Sequence, residues 1–150
     1  NTIISLKDEI PYKLENFVLV YTKKPEKTTG ELIQLVRNSE EYYRNERIQK
    51  IGKLTYEMRE VLKNKNFTRM KEIINETQKN LAELEVSIPE VDEIVSAVRE
   101  IGGAAKLCGA GGGGIMLCYH ENKSKLVETI KDLGYSPIEA ELGVEGVRIE

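Results

Sequence analysis

Between Lys106 and Leu117 the chain reads Lys-Leu-Cys-Gly-Ala-Gly-Gly-Gly-Gly-Ile-Met-Leu, with five glycines in the six residues from Gly109 to Gly114. Glycine weakens regular structure, so such a cluster marks backbone that takes unusual torsions or comes close to something else. Successive N–H groups exposed in a loop of this kind form a concave anion site, often filled by phosphate. The chemistry on offer is recognition of a phosphate by the backbone of Gly109, Ala110, Gly111, Gly112, Gly113 and Gly114, with Lys106 nearby in sequence. The alternative is a loop that only packs tightly against neighbouring backbone.

Gly109-x-Gly111-x-x-Gly114 also spells the dinucleotide fingerprint, but the context is wrong. That fingerprint needs a helix to begin at its last glycine, so that the helix N-terminus faces the pyrophosphate. Here Gly114 runs into Ile115-Met116-Leu117-Cys118-Tyr119, an apolar run that reads as a buried strand. No Gly-Lys-Ser/Thr follows, which excludes a P-loop. What remains is a strand, a glycine loop and a second strand.

Other chemistry-bearing residues are sparse. His120 is the single histidine, and it has no cysteine or second histidine beside it, so no metal site is expected there. Cys108 and Cys118, ten residues apart, suit neither a disulfide framework nor paired zinc ligands; a reducing cytoplasm is the simplest setting. Lys106 either steers phosphate charge or is a solvated lysine at a strand edge. Asp92 and Glu93 stand where a helix start favours acids, and Arg44-Asn45-Glu46-Arg47 reads as an exposed helix face. No residue in the chain reads as catalytic.

The elements that must position the loop follow from periodicity. Phe17–Tyr21 is a β-rich run and the first strand. Thr22 to Lys27, with Pro25 inside, is a loop, and Thr28 or Thr29 caps a helix with Leu32, Ile33, Leu35 and Val36 on its inner face. A long helix runs from about Glu40 to Lys63, with Ile48, Ile51, Leu54, Met58, Val61 and Leu62 at helical spacing. Asn64-Lys65-Asn66 interrupts it. A third helix carries Phe67, Met70, Ile73, Ile74, Thr77, Leu81 and Leu84 on one stripe, and Pro89 opens a fourth that Gly102-Gly103 ends. Strands are expected at 104–107 and 114–119, then a helix from Glu121 to Leu133 stopped by Gly134. A short extended piece near Ile138 and a strand from Val144 to Ile149 close the chain. Residues 1–16 read as a polar lead-in, consistent with either a processed start or a domain cut from something longer.

Strands at both ends with helices between them give one α+β domain over residues 1–150, a mostly antiparallel sheet covered by helices. A net charge of −3 and a pI near 5.5 supply no general attraction for nucleic acid or an anionic membrane. No apolar run approaches the roughly 20 residues of a membrane helix.

The motifs together resemble a family. Lys106-Leu107 with Gly109–Gly114 matches the Lys-Leu-Thr-Gly-Ala-Gly-Gly-Gly-Gly motif of GHMP-type small-molecule kinases, with Cys108 in the threonine position. Thr22-Lys23-Lys24-Pro25 with Thr28-Thr29 resembles the Thr-Lys-x-Pro-x-x-Thr turn of mevalonate kinases, and Pro89-Glu90-Val91-Asp92 resembles their Leu-Asp stretch. The ending Leu142-Gly143-Val144-Glu145-Gly146-Val147-Arg148-Ile149 resembles their C-terminal strand. The matches span residues 17–149 and are similar to the family's C-terminal, ferredoxin-like domain, most closely that of mevalonate kinases.

The resemblance implies an ATP-dependent transfer of phosphate to a small alcohol, mevalonate. A sugar or heptose kinase, or an anion-binding module without chemistry, are the alternatives. ATP and Mg2+ would be held mainly by an N-terminal catalytic domain that this chain lacks, so the chain alone is expected to be inactive and to bind ATP weakly. The glycine loop would lie on a surface left open for that domain, and Thr28 and Thr29 would contact substrate; for Thr29 the simpler role is the helix cap. Neither nucleic acid nor membrane is an expected partner, and a homodimer stays open. Gly112→Val in the full enzyme is expected to cut turnover far more than it lowers the melting temperature.

Overall fold

The computed structural model describes Leu6, residues 9–140 and Leu142. Among these lie strands β1 (Phe17–Tyr21), β2 (Ala104–Leu107), β3 (Ile115–Tyr119) and β4 (Pro137–Ile138). The helices are α1 (Thr29–Asn38), α2 (Glu41–Lys63), α3 (Phe67–Glu83), α4 (Pro89–Glu100) and α5 (Lys123–Asp132). The strands form one antiparallel sheet in the order β2-β3-β1-β4, with Phe17 opposite Tyr119 and Ala104 opposite the same tyrosine. The α+β architecture read from the sequence is the one present. The strand expected at Val144–Ile149 lies outside the described residues.

Alternation along the strands divides the core in two. Val18, Val20, Ala105, Leu107, Met116 and Cys118 point to one face, where Val91, Ile94, Val95 and Val98 of α4 and Leu126 and Ile130 of α5 cover them. Phe17, Ala104 and Tyr119 point to the other, against Leu54 and Val61 of α2 and Met70, Ile73 and Ile74 of α3. A sheet buried on both faces needs apolar residues at successive positions, which is why the strands read as continuous apolar runs. On the α2/α3 side, cover is complete only at the Phe17–Tyr119 end. Towards the glycine loop the same face carries Leu19, Leu117 and Ile115, all half-buried, with Tyr21 48% and Ile138 44% exposed.

The helix starts follow their caps. Glu40 accepts from the N–H groups of Tyr42 and Tyr43, Asn66 from that of Arg69, and Asn122 from that of Lys125. Asn122 therefore places the start of α5 at Lys123 instead of Glu121. α4 opens with Pro89 at its first position, where the missing N–H costs nothing.

Two apolar residues expected on inner faces are exposed. Ile33 is 46% exposed because Leu32, Leu35 and Val36 define the buried side of α1, and Ile33 lies about 100° round the axis from Leu32. Ile48 is 49% exposed. The buried residues of α2 are Leu54 and Val61, both in its second half, so its first half runs past the core. Arg47 secures that part instead, stacking 3.6 Å over the Tyr43 ring and pairing with Glu83 at the end of α3 at 2.9 Å. No helix among the described residues is long and apolar enough to cross a membrane.

Candidate functional site

The glycine loop joins β2 to β3 and is closed at its base by the Cys108 N–H donating to the Ile115 carbonyl at 2.9 Å. All five of its glycines have positive φ, from +72° at Gly112 to +117° at Gly113. Space is as restrictive as torsion at two of them. A Cβ on Gly111 would stand 2.6 Å from the Val86 carbonyl oxygen, and one on Gly113 would stand 3.0 Å from the Lys23 carbonyl oxygen and 3.2 Å from Ile88 Cδ1. Close backbone approach therefore accounts for part of the cluster.

Two neighbouring segments hold the loop. The Gly112 N–H donates to the Val86 carbonyl at 2.8 Å, in the connection between α3 and α4. The Gly114 N–H donates to the Lys23 carbonyl at 2.9 Å, just past β1, while the N–H and the hydroxyl of Thr22 both donate back to the Gly114 carbonyl. The N–H groups of Gly109, Ala110, Gly111 and Gly113 donate to nothing among the described residues. Gly111 and Gly113 are themselves buried, whereas Gly109 is exposed and Ala110 half-exposed. Gly109 and Ala110 thus carry the loop's unpartnered N–H groups on residues that are not buried, and an anion site needs free N–H groups of this kind.

Gly112 faces inward. Its N–H is committed to Val86, and a Cβ there would meet Leu32 Cδ1 of α1 at 3.2 Å. The position singled out in the sequence as phosphate-facing is therefore a packing position, and Gly109, with nothing within 4 Å of a built Cβ, is the open one. Lys106 sits half-buried on the less covered face of the sheet, paired in register with Leu117, and its Nζ donates to the Leu107 carbonyl at 2.5 Å.

Thr28 is the cap of α1. Its hydroxyl accepts from the Glu31 N–H at 3.3 Å and donates to Glu31 Oε2 at 2.8 Å, and the Glu31 carboxylate accepts from the Thr28 N–H at 2.7 Å. This is a reciprocal capping box, and these bonds hold the Glu31 carboxyl below the usual carboxylate range. The cap expected of Thr29 falls to Thr28; Thr29 is the first helical residue and is exposed.

His120 is buried between the Ile101 carbonyl, 2.9 Å from Nε2, and the Asn122 N–H, which donates to Nδ1 at 2.8 Å. Among the described residues no three His, Cys, Asp or Glu side chains stand together in a way that could hold a metal ion. Burial pushes the Cys118 thiol up to about 12.

The supporting residues that sequence reasoning missed are Asn75 and Gln78 of α3. Gln78 is 2% exposed; its Oε1 accepts from the Leu107 N–H at 2.8 Å, immediately before the loop, and its Nε2 donates to Ser87 Oγ at 3.3 Å. Asn75 accepts from the Ala105 N–H and donates to the Gly103 carbonyl. Two amide side chains thereby satisfy the open edge of β2 in place of a further strand. The available signal was an Asn and a Gln three apart beside the apolar stripe of α3.

Residues 58–136, more than half of the chain, match the model of the GHMP kinases' C-terminal domain. The chain belongs to the GHMP kinase family. Among its relatives, the mevalonate kinase of Pyrococcus abyssi is 36% identical over 110 residues, covering 69% of this chain and 33% of that protein. The mevalonate kinase of Methanocaldococcus jannaschii is 34% identical over 136 residues, covering 89% of this chain and 41% of that protein. The crystal structure of the Methanococcus jannaschii mevalonate kinase superposes with a TM-score of 0.74 at 30% identity, over 92% of this chain and 42% of that one. The GHMP kinase domain thus spans less than half the length of these relatives.

Proposed function

We propose that this domain is the C-terminal part of an ATP-dependent kinase that phosphorylates mevalonate, working in the cytoplasm, and that its glycine loop forms one wall of the phosphate site. The observation that carries the reading is the pair of accessible, unpartnered N–H groups of Gly109 and Ala110 at the less covered end of the sheet, in a chain whose relatives over most of its length are mevalonate kinases.

In such a transfer ATP supplies the phosphoryl group to the acceptor hydroxyl, with Mg2+ neutralising phosphate charge, so the protein contributes mainly positioning and electrostatics. Two unpaired backbone donors fit a phosphate oxygen, and they need no reorganisation because Gly112 and Gly114 are already tied down. Lys106 adds a cation on the same side of the sheet. Ligands for Mg2+ and the group that handles the acceptor proton would come from the remaining length that the relatives possess, docked over Leu19, Tyr21, Leu117 and Ile138. Thr28, engaged in its capping box, serves α1 first; Thr29 is exposed and its hydroxyl has no hydrogen-bond partner among the described residues.

The test is turnover. The full-length protein should consume ATP in the presence of mevalonate and much less with a panel of sugars and heptoses, while the 150-residue chain does neither and binds Mg-ATP weakly by calorimetry. Turnover of mevalonate by the isolated chain, or a sugar preferred by the full-length protein, would overturn the proposal.

A further inference from the structure

We propose that the ion pair between Lys23 and Glu90 is a positioning clamp for the glycine loop, a role that rests on the phosphate-facing reading of that loop. The loop hangs from two carbonyls that belong to separate parts of the chain: Lys23, just past β1, and Val86, between α3 and α4. Its orientation depends on the spacing between those two segments. Lys23 Nζ, which also reaches Glu26 at 3.4 Å, pairs at 2.8 Å with Oε1 of Glu90 in the first turn of α4, four residues past Val86, and so ties the first segment to the helix that the second one leads into. Gly113 lies between the same two segments, with the Lys23 carbonyl on one side and Ile88 on the other.

The pair is built to persist. Both side chains keep about one-third of their surface exposed, at 37% and 33%, and meet at 2.8 Å. Glu90 stands at the second position of α4, where the helix start favours a carboxylate. Lys23, then the backbone N–H of Glu90 itself, hold the carboxyl below its usual range. Its other oxygen, Oε2, is buried with no hydrogen-bond partner among the described residues. Oε1 and Lys23 therefore answer most of the charge, and loss of the lysine would drive Glu90 towards water and part the two supports. Gly112 and Gly114 would follow their acceptors, turning the Gly109 and Ala110 N–H groups away from their set direction.

The experiment compares Lys23→Met, Glu90→Gln and Lys23→Arg in the full-length protein, reading kcat and KM for ATP, the melting temperature, and the 1H–15N signals of Gly109 and Ala110. Lys23→Met and Glu90→Gln should lower kcat by about ten- to a hundredfold, the scale of a misplacement near 1 Å. They should also shift both amide signals, with a melting temperature lowered by no more than about 4 °C. Lys23→Arg keeps the pair and should restore both readouts. Glu90→Gln keeps the side-chain shape and carries the test if Lys23→Met fails to fold. Unmoved amide signals, or a kcat lost equally in Lys23→Arg, would overturn the clamp. If the unsubstituted protein does not phosphorylate mevalonate, the acceptor assignment fails, and the amide signals still decide the clamp on their own.

Discussion

Gly109 and Gly111 offer a matched pair of substitutions that separates the loop's packing from its chemistry. Both have positive φ, +80° and +97°, so alanine is strained at either by about 1–2 kcal/mol. Alanine also narrows the unfolded ensemble, which returns about 0.4–1 kcal/mol at both positions alike. The difference lies in space. Nothing stands within 4 Å of a Cβ on Gly109, whereas one on Gly111 meets the Val86 carbonyl oxygen at 2.6 Å and Val86 Cβ at 2.7 Å. Those are backbone and near-backbone atoms that cannot rotate aside, so overpacking adds about 1–3 kcal/mol. Gly111→Ala should therefore cost about 1–4.5 kcal/mol and Gly109→Ala about 0–1.5 kcal/mol.

Urea unfolding of both variants at constant m-value measures the two losses. Catalysis should rank them the other way relative to stability. Gly109→Ala places a methyl beside an accessible donor, so in the full-length protein kcat/KM should fall by at least about tenfold, equivalent to 1.4 kcal/mol of lost transition-state stabilisation, with little loss of fold. Equal destabilisation of the two variants would refute the steric argument at Val86. A Gly109→Ala enzyme with unchanged kcat/KM would refute the assignment of this face to phosphate.

Gln78→Leu keeps the volume but orphans the buried Leu107 N–H, which should cost about 1–3 kcal/mol in urea unfolding and broaden the amide signals of the loop that follows; a neutral variant would mean the edge of β2 has another partner. Acid should weaken the fold through its paired carboxylates. Glu9 beside Arg59, Glu40 capping α2, and Glu57 beside Arg69 are all held below the ordinary 4.5. A lowered folded value means their stabilisation is complete above that point and is lost as pH falls through the folded values, so the urea midpoint should drop below about pH 4.5 and Glu40→Gln should show a smaller drop.

Much of the scaffold was legible because its signals are local. Thr28, one of the two threonines expected to cap α1, does cap it, Pro89 opens α4, and Gly134, at φ +85°, stops α5. The runs Phe17–Tyr21 and Ile115–Tyr119 read as continuous apolar strands because one sheet face is covered by α4 and α5 and the other by α2 and α3 at the Phe17–Tyr119 end. What escaped the sequence depends on partners distant along the chain. Ile33 and Ile48 fit a helical period yet face outward, since period alone does not say how wide a face is buried. Gln78 is polar at a core position because it answers an edge strand 29 residues away. Gly112 could not be told from Gly109 by composition: Val86 and Leu32, which turn it inward, come from elements that sequence order does not bring near it.

The loop's glycines consequently do different jobs with one residue type. Gly112 and Gly114 give their N–H groups to Val86 and Lys23, and Gly111 and Gly113 let those same backbones approach. That leaves the N–H groups of Gly109 and Ala110 without partners among the described residues, in a loop held at both flanks. A flexible glycine run would also expose N–H groups, but binding would have to freeze it, at about 1–2 kcal/mol per residue. Here folding has already met that cost through bonds to two flanking segments. Under the proposed function, an anion reaching Gly109 would meet donors oriented in advance, an arrangement that a mobile glycine linker would not provide.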